Sequence, residues 1–142
     1  MIAYADSSFL VALYVLDRHS KDAAARVAHA PQILVTPFHR VELANAFYQC
    51  VFRSTLKEFE AAGAWKRFTR DLDTRILESL PFPDSAWEVG ANLAPRFCPS
   101  HGVRSLDTLH VACALELGAE RFWTFDERQA KLAEAVGLAT GP

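Results

Sequence analysis

Residues 2–14 read IAYADSSFLVALY, an apolar stretch interrupted by one carboxylate and two serines. Residues 2–5 are typical of a short buried strand, and residues 8–15 have the apolar pattern of a helix, so Asp6 stands where a first strand ends. A charge at such a position is unfavourable unless other groups compensate it. The placement of Asp6 therefore indicates either a helix cap or a carboxylate that faces a binding crevice.

The composition describes a chain that can form a substantial core. Its 142 residues are 51% hydrophobic and 23% charged, which predicts a single domain spanning residues 1–142. The net charge of -2 excludes a uniformly basic surface, although a local basic patch for nucleic acid is compatible with it. Three cysteines do not predict a disulfide framework, and no signal-like or membrane-spanning run is present. We therefore expect a soluble cytoplasmic protein.

Strand-like and helix-like segments alternate along the sequence. The predicted strands are residues 2–5, 32–36, 76–80 and 121–125, with a short edge strand at 138–140. The predicted helices begin near residues 8, 19, 37, 55, 84, 105 and 126. Pro95 is expected to kink or end the fifth helix, and residues 99–104 are expected to form a loop. This alternation predicts a three-layer α/β/α sandwich around a mostly parallel sheet of four or five strands.

Four carboxylates lie near predicted strand ends or in the helices that follow them, namely Asp6, Glu42, Asp107 and Asp126. Ligands of parallel sheets gather beyond the carboxyl ends of the strands, so these acids can face one crevice. Clustered carboxylates repel one another, and a cation that prefers oxygen ligands, such as Mg²⁺ or Mn²⁺, removes that conflict. Because such a cation can orient water and neutralise a phosphate, the pattern suits phosphodiester hydrolysis.

Each acid also has an explanation that involves no ligand. Asp6 and Asp126 are good helix caps, Asp107 suits the dipole of a helix start, and Glu42 can lie on a solvated helix face. A noncatalytic binding module and a phosphate-accepting aspartate therefore remain alternatives. The sequence lacks a G-x-S-x-G elbow and the glycine-rich nucleotide-binding motifs, which argues against serine hydrolysis and nucleotide-binding loops.

Four stretches resemble the acidic motifs of PIN-domain nucleases: YADSSFLVALY, VELANAF, RSLDTLHVACALELGA and FWTFDERQAKLA. Their order matches across nearly the whole chain, whose length is similar to that of the VapC-like ribonuclease toxins of prokaryotic toxin–antitoxin pairs. The resemblance implies a PIN-like fold and an endoribonuclease dependent on Mg²⁺ or Mn²⁺. It also implies a metal centre formed by Asp6, Glu42 and Asp107 and completed by Asp126. Ser8 and Thr124 match supporting hydroxyl positions near the first and fourth acids.

The resemblance further implies an RNA substrate and a small antitoxin whose tail blocks the crevice. Apolar helices at residues 8–15 and from residue 55 offer faces for a homodimer. Cations that can lie at the rim of the crevice are Arg18, His19, Lys21, Arg104, Arg128 and Lys131. Ordinary surface charge is the alternative for each of them. His110 can share a helix face with Asp107 and is interpreted as a partly buried, hydrogen-bonded histidine.

Overall fold

The computed structural model describes residues 1–142 and contains four strands and seven helices. In chain order these are β1 (Ile2–Ala5), α1 (Ser7–Tyr14), α2 (Ser20–His29), β2 (Gln32–Val35), α3 (Pro37–Phe52), α4 (Glu58–Asp73), β3 (Glu78–Ser79), α5 (Ser85–His101), α6 (Ser105–Glu116), β4 (Arg121–Trp123) and α7 (Glu127–Ala135). None of the helices has both the length and the apolar character needed to cross a membrane.

The four strands form one parallel sheet in the order β3–β2–β1–β4. β1 lies inside the sheet, between β2 and β4, and all strands point their carboxyl ends toward the same edge. The predicted parallel sheet is confirmed, although β3 and β4 are shorter than expected. The expected edge strand at residues 138–140 is reduced to one parallel bridge between Ala139 and Arg121.

Alternating residues of the strands bury two separate cores, as the period of two in a β-strand requires. Ala3, Ala5, Ile33, Val35 and Trp123 pack with side chains of α1 to α4 on one face of the sheet. Tyr4, Leu34 and Phe122 pack with side chains of α5, α6 and α7 on the other face. Because both faces of the sheet are covered by helices, the predicted three-layer α/β/α sandwich is confirmed.

The fifth helix differs from its prediction. It runs unbroken past Pro95 and Pro99 to His101, so residues 99–101 are helical rather than part of a loop, and it ends at Gly102 with φ +61°. A proline inside a helix removes one backbone hydrogen bond. Burial of Ala86, Gly90 and Leu93 along this helix offsets that loss through contacts that a local pattern does not reveal.

The start of the fourth helix also differs from its prediction. The helix begins at Glu58, where Lys57 is the N-cap and its backbone N–H donates to Glu60 Oε1 at 3.0 Å. The capping box expected from residue 55 therefore lies two residues further along. This start directs Phe59 outward, with 72% of its surface exposed, whereas Phe68 on the same helix is fully buried.

The two phenylalanines of α4 provide a matched test of the packing. We expect Phe68→Ala to lower the free energy of unfolding by about 3–5 kcal/mol, because it opens a cavity in a core where the ring packs edge-on against Tyr14. In the monomer, Phe59→Ala should change the free energy of unfolding by less than about 0.5 kcal/mol, because this ring is exposed there. Urea denaturation of both variants measures the difference. Equal effects would contradict the described core.

Candidate active site

The carboxyl edge of the sheet collects the polar residues that follow three neighbouring strands. Asp6 follows β1, Thr36 follows β2 and Thr124 follows β4. Because these strands are parallel and adjacent, the three residues leave the sheet at the same edge. α3 starts from this edge and carries Glu42 about one and a half turns from its first residue. The fold therefore gathers at one edge residues that are far apart in sequence.

Asp6 is the most buried of the predicted acids, with 2% of its surface exposed. Its Oδ1 accepts hydrogen bonds from Phe9 N at 2.9 Å and from Ser8 Oγ at 2.8 Å, so Asp6 caps α1. Its Oδ2 accepts one from Thr124 Oγ1 at 2.7 Å. Burial raises the pKa of Asp6, while nearby His110 and these three donors act in the opposite direction. The helix cap, one of the two interpretations of Asp6, is therefore observed in the structure.

The two predicted supporting hydroxyls both contact Asp6, and they tie it to the loop after β4. Ser8 Oγ also accepts the backbone N–H of Phe125 at 3.1 Å, and Thr124 Oγ1 accepts that of Asp126 at 3.0 Å. Thr124 thus lies between Asp6 and Asp126, hydrogen-bonded to both residues. The first and fourth acids are held at a fixed spacing by one side chain.

Glu42 is half-buried and has two partners that the sequence did not single out as site residues. Its Oε1 accepts a hydrogen bond from Ser7 Oγ at 2.6 Å and contacts His110 Nε2. Burial is the largest influence on this carboxyl and raises its pKa, but the contacts with His110 and Ser7 outweigh burial, and the net shift of the Glu42 pKa is downward. Glu42 is thus held as a carboxylate.

Asp107 and Asp126 are connected through Gln129. Asp126 caps α7, since its Oδ1 accepts Gln129 N at 2.9 Å. The side-chain amide of Gln129 donates to the backbone oxygen of Asp107 at 3.2 Å. Asp107 Oδ2 accepts from Arg104 Nε at 3.3 Å across the first turn of α6. Arg104, expected at the rim, therefore pairs with an acid of the site.

Hydrogen bonds through Thr124 and Gln129 link Asp6, Asp126 and Asp107, and Ser7 holds Glu42, yet the four acids do not form a finished ligand set. No three acidic, histidine or cysteine side chains lie together in a group that could hold a metal ion. Glu42 Oε2, Asp107 Oδ1 and Asp126 Oδ2 make no hydrogen bond within the protein. Every buried polar side-chain atom has a partner, so these three oxygens face solvent. An all-oxygen donor set of this kind fits Mg²⁺ or Mn²⁺ in chemistry.

The other expected rim cations divide into two groups. His19 stacks on Phe125 with ring centroids 4.2 Å apart, and Arg18 Nε donates to His19 Nε2 at 3.2 Å, so this pair lies beside the loop of Thr124 and Asp126. The remaining side chains are exposed and make no ion pair: Lys21, Arg128 and Lys131. The first group alone has a defined place near the acids.

Two histidines that sequence reasoning did not assign to the site flank the end of β1. His39 is fully buried, its Nε2 donates to the Ala5 carbonyl at 2.9 Å, and its Nδ1 accepts Thr36 N–H at 2.9 Å. His110 has 2% of its surface exposed and contacts Tyr4 and Glu42. The expectation that His110 is hydrogen-bonded is confirmed, and the ring is more deeply buried than the partly buried histidine that the sequence predicted. The signal available in the sequence was a histidine on an otherwise apolar helix face.

The comparisons with known proteins agree with this architecture. A model of the PIN domain matches residues 3–135, and no curated protein sequence matches the chain. The VapC20 toxin of Mycobacterium tuberculosis, described as cleaving the sarcin–ricin loop, superposes with a TM-score of 0.69 at 16% identity over 99% of each chain. A toxin–antitoxin complex from Klebsiella pneumoniae gives 0.66 at 16% identity over 97% of this chain and 96% of that chain. The VapBC2 complex of Rickettsia felis, bound to a promoter DNA fragment, gives 0.67 at 16% identity over 99% and 98%.

The fold and the family match together assign this protein to a class. It is an α/β protein with a four-stranded parallel sheet whose carboxyl edge carries linked acidic residues. With the family model covering residues 3–135, the chain belongs to the PIN domain family. At 16% identity the solved structures establish a shared fold, and the predicted PIN-like fold is confirmed.

The buried histidine at the end of β1 gives a prediction for stability against pH. Burial, with a further contribution from His110, lowers the pKa of His39 from 6.5 to about 3, against the opposing effects of the Ala5 carbonyl and Glu42. At pH values between about 3 and 6.5, His39 is therefore protonated in the unfolded chain and neutral in the folded chain. Between pH 6.5 and about 3 this lowers the free energy of unfolding as the pH falls, by up to about 1.4 kcal/mol per pH unit.

Urea denaturation at about pH 7 and about pH 5 measures this effect, since the interval lies where the unfolded histidine gains its proton. We expect His39→Gln to lose part of the pH dependence seen in the wild type. His29→Gln serves as the control, because His29 is exposed. Identical pH dependence in the wild type and His39→Gln would show that His39 does not stay neutral in the fold.

Proposed function

We propose that this protein is a metal-dependent endoribonuclease and the toxin of a toxin–antitoxin pair. The observation that carries the proposal lies at the carboxyl edge of a PIN-family sheet, where Thr124 and Gln129 link Asp6, Asp126 and Asp107 and where Ser7, next to Asp6 in the chain, holds Glu42. Residues 1–142 act as a single nuclease domain in this proposal. Its place of action is the cytoplasm, where its RNA substrate lies.

The proposed cofactor is Mg²⁺ or Mn²⁺, held by Asp6, Glu42, Asp107 and Asp126. A bound cation would neutralise charge on the scissile phosphate and make a water molecule more acidic. Ser8 and Thr124 would keep Asp6 in place, since each donates a hydrogen bond to its carboxylate. No three acids form a ligand set as they stand, so the proposal requires the side chain of Asp107, which is held only by the exposed Arg104, to rotate when a cation binds.

The proposed substrate and antitoxin are supported by the solved structures that share the fold. One of them is described as a toxin that cleaves the sarcin–ricin loop, and two others are toxin–antitoxin complexes. The pair formed by Arg18 and His19 beside Phe125 is our candidate for contact with RNA, because it combines a cation with an aromatic surface next to Asp126. With this assignment, the RNA strand would extend from the acids toward Arg18 and His19.

A homodimer is also part of the proposal, and the structure changes where its face would lie. α1 buries Phe9, Leu10, Ala12 and Tyr14 inside its own chain, so residues 8–15 have little apolar surface to offer. Large apolar side chains are instead exposed on α3, at Val41 and Phe52, and on α4, at Phe59. We place the homodimer face on α3 and α4.

A noncatalytic PIN-like scaffold that binds RNA or protein is the second candidate. It is favoured because three of the acids already have structural roles within the protein. Asp6 and Asp126 cap helices, and Glu42 contacts His110. It is favoured also by the absence of a finished three-ligand group. Binding of Mn²⁺ at millimolar concentration separates the two candidates, since a scaffold of this kind has no need of it.

Loss of single carboxylates tests the nuclease proposal. We expect Asp6→Asn and Asp107→Asn to reduce RNA cleavage at least about 100-fold, which corresponds to about 2.7 kcal/mol of transition-state stabilisation. Asp73→Asn is the control, because Asp73 is an exposed acid at the end of α4 and should leave cleavage unchanged. Mapping of new 5′ ends in total RNA measures activity, and circular dichroism verifies the fold.

Two outcomes would contradict the nuclease proposal. One is full cleavage by folded Asp6→Asn and Asp107→Asn. The other is undiminished cleavage by the wild type after chelation of divalent cations, since the proposed chemistry depends on a bound cation.

A further inference from the structure

A buried chain of hydrogen bonds leads from the central strand to Glu42. Tyr4, in β1, is fully buried and its hydroxyl oxygen lies 2.7 Å from His110 Nδ1. His110, in α6, has 2% of its surface exposed, and its Nε2 contacts Glu42 Oε1 in α3. The three residues therefore connect β1, α6 and α3. His110 lies 106 positions from Tyr4 and 68 positions from Glu42 along the sequence.

The direction of the hydrogen bonds follows from what each group can donate. A carboxylate only accepts, so His110 donates to Glu42 from Nε2. In the neutral form of the ring, donation from Nε2 leaves Nδ1 as the acceptor, and the Tyr4 hydroxyl is placed to donate there. Burial raises the pKa of Tyr4 well above its usual value, so the hydroxyl keeps its proton. For the neutral ring, Tyr4 thus favours the tautomer in which His110 donates to Glu42.

We propose that His110 is a positioning residue for Glu42 and that Tyr4 positions His110. The inference rests on the proposed function, because Glu42 is positioned for a divalent cation. His110 and Ser7 fix Glu42 Oε1 from two sides and leave Oε2 without a protein partner. A glutamate held in this way has already lost part of its rotamer freedom before a cation binds. Partners of this kind typically contribute 10–100-fold to metal affinity.

His110 also packs on its aromatic neighbours, so its role has to be separated from simple packing. Its ring lies 4.7 Å from that of Phe38 and 4.9 Å from that of His39. His110→Leu removes both the donor and the ring, and it can fail to fold. His110→Gln keeps an amide donor that can reach toward Glu42. Tyr4→Phe removes a single hydroxyl and leaves the stacked contact with Phe122 in place.

Tyr14→Phe is a matched control for Tyr4→Phe. Tyr14 is also a buried tyrosine, and its hydroxyl donates to Asp71 at 2.7 Å within the fold. Both substitutions remove one internal hydrogen bond, which typically lowers the free energy of unfolding by about 0.5–1.5 kcal/mol. Only Tyr4 lies on the path to Glu42. A change specific to Tyr4→Phe therefore reports positioning rather than stability.

Two measurements on the full chain test the proposal. Nitrogen NMR of the imidazole groups should show His110 as the tautomer protonated at Nε2 in the wild type and as a mixture in Tyr4→Phe. Isothermal titration with Mn²⁺ should give a dissociation constant about 10-fold higher for Tyr4→Phe, with His110→Gln closer to the wild type than His110→Leu. Tyr14→Phe should match the wild type in both measurements.

The outcomes separate this inference from the proposed function. Failure of the wild type to bind Mn²⁺ would overturn the proposed function and, with it, the positioning role. If the wild type binds Mn²⁺ but folded Tyr4→Phe binds it equally well and keeps the same tautomer, the positioning role alone is overturned. Tighter binding by Tyr4→Phe or His110→Gln would also overturn it, because His110 would then restrain Glu42 from the cation.

Discussion

This structure depends on the hydrogen bonds that compensate one buried carboxylate, that of Asp6. Asp6 has 2% of its surface exposed at the end of the central strand, where a carboxylate without partners would strongly destabilise the fold. The three donors to Asp6 come from the first turn of α1 and from the loop after β4. Satisfying the charge therefore joins β1, α1 and β4. The same requirement places Asp126 next to Asp6 through Thr124, so a condition for folding also assembles part of the site.

The fold follows from local patterns wherever burial alone decides. The alternation of apolar stretches with helical periods predicts the parallel three-layer sandwich, since both sheet faces must be covered. The errors lie where tertiary contacts override local signals. Pro95 predicts a kink or an end of the fifth helix, and residues 99–104 predict a loop, but the helix, which is buried between Ala86 and Leu93, continues to His101. The fourth helix starts later than its first cap-like residue because Glu60 reaches back to Lys57.

The acids of the candidate site stand out in the sequence because they follow strands or occur within stretches that resemble PIN motifs. Their partners are not recognisable, since each contact joins distant segments. Ser7 and His110 meet at Glu42 although they lie 35 and 68 positions from it. Gln129 looks like an ordinary first-turn residue, yet it connects Asp126 with Asp107. In the function that we propose, Asp6 both caps a helix and binds the cation with the same carboxylate. Such a group has about four acceptor positions, and the protein fills three of them.

A crystal structure of the full chain grown with Mn²⁺ and analysed by anomalous diffraction tests this claim most directly. We expect an anomalous peak about 2.1 Å from an oxygen of Asp6, which is the distance of a small hard cation from its ligands. We also expect the same cation to contact Glu42, Asp107 or Asp126. The hydrogen bonds from Ser8, Phe9 and Thr124 to Asp6 should remain. A peak elsewhere in the molecule, or none at this edge of the sheet with millimolar Mn²⁺, would contradict the claim.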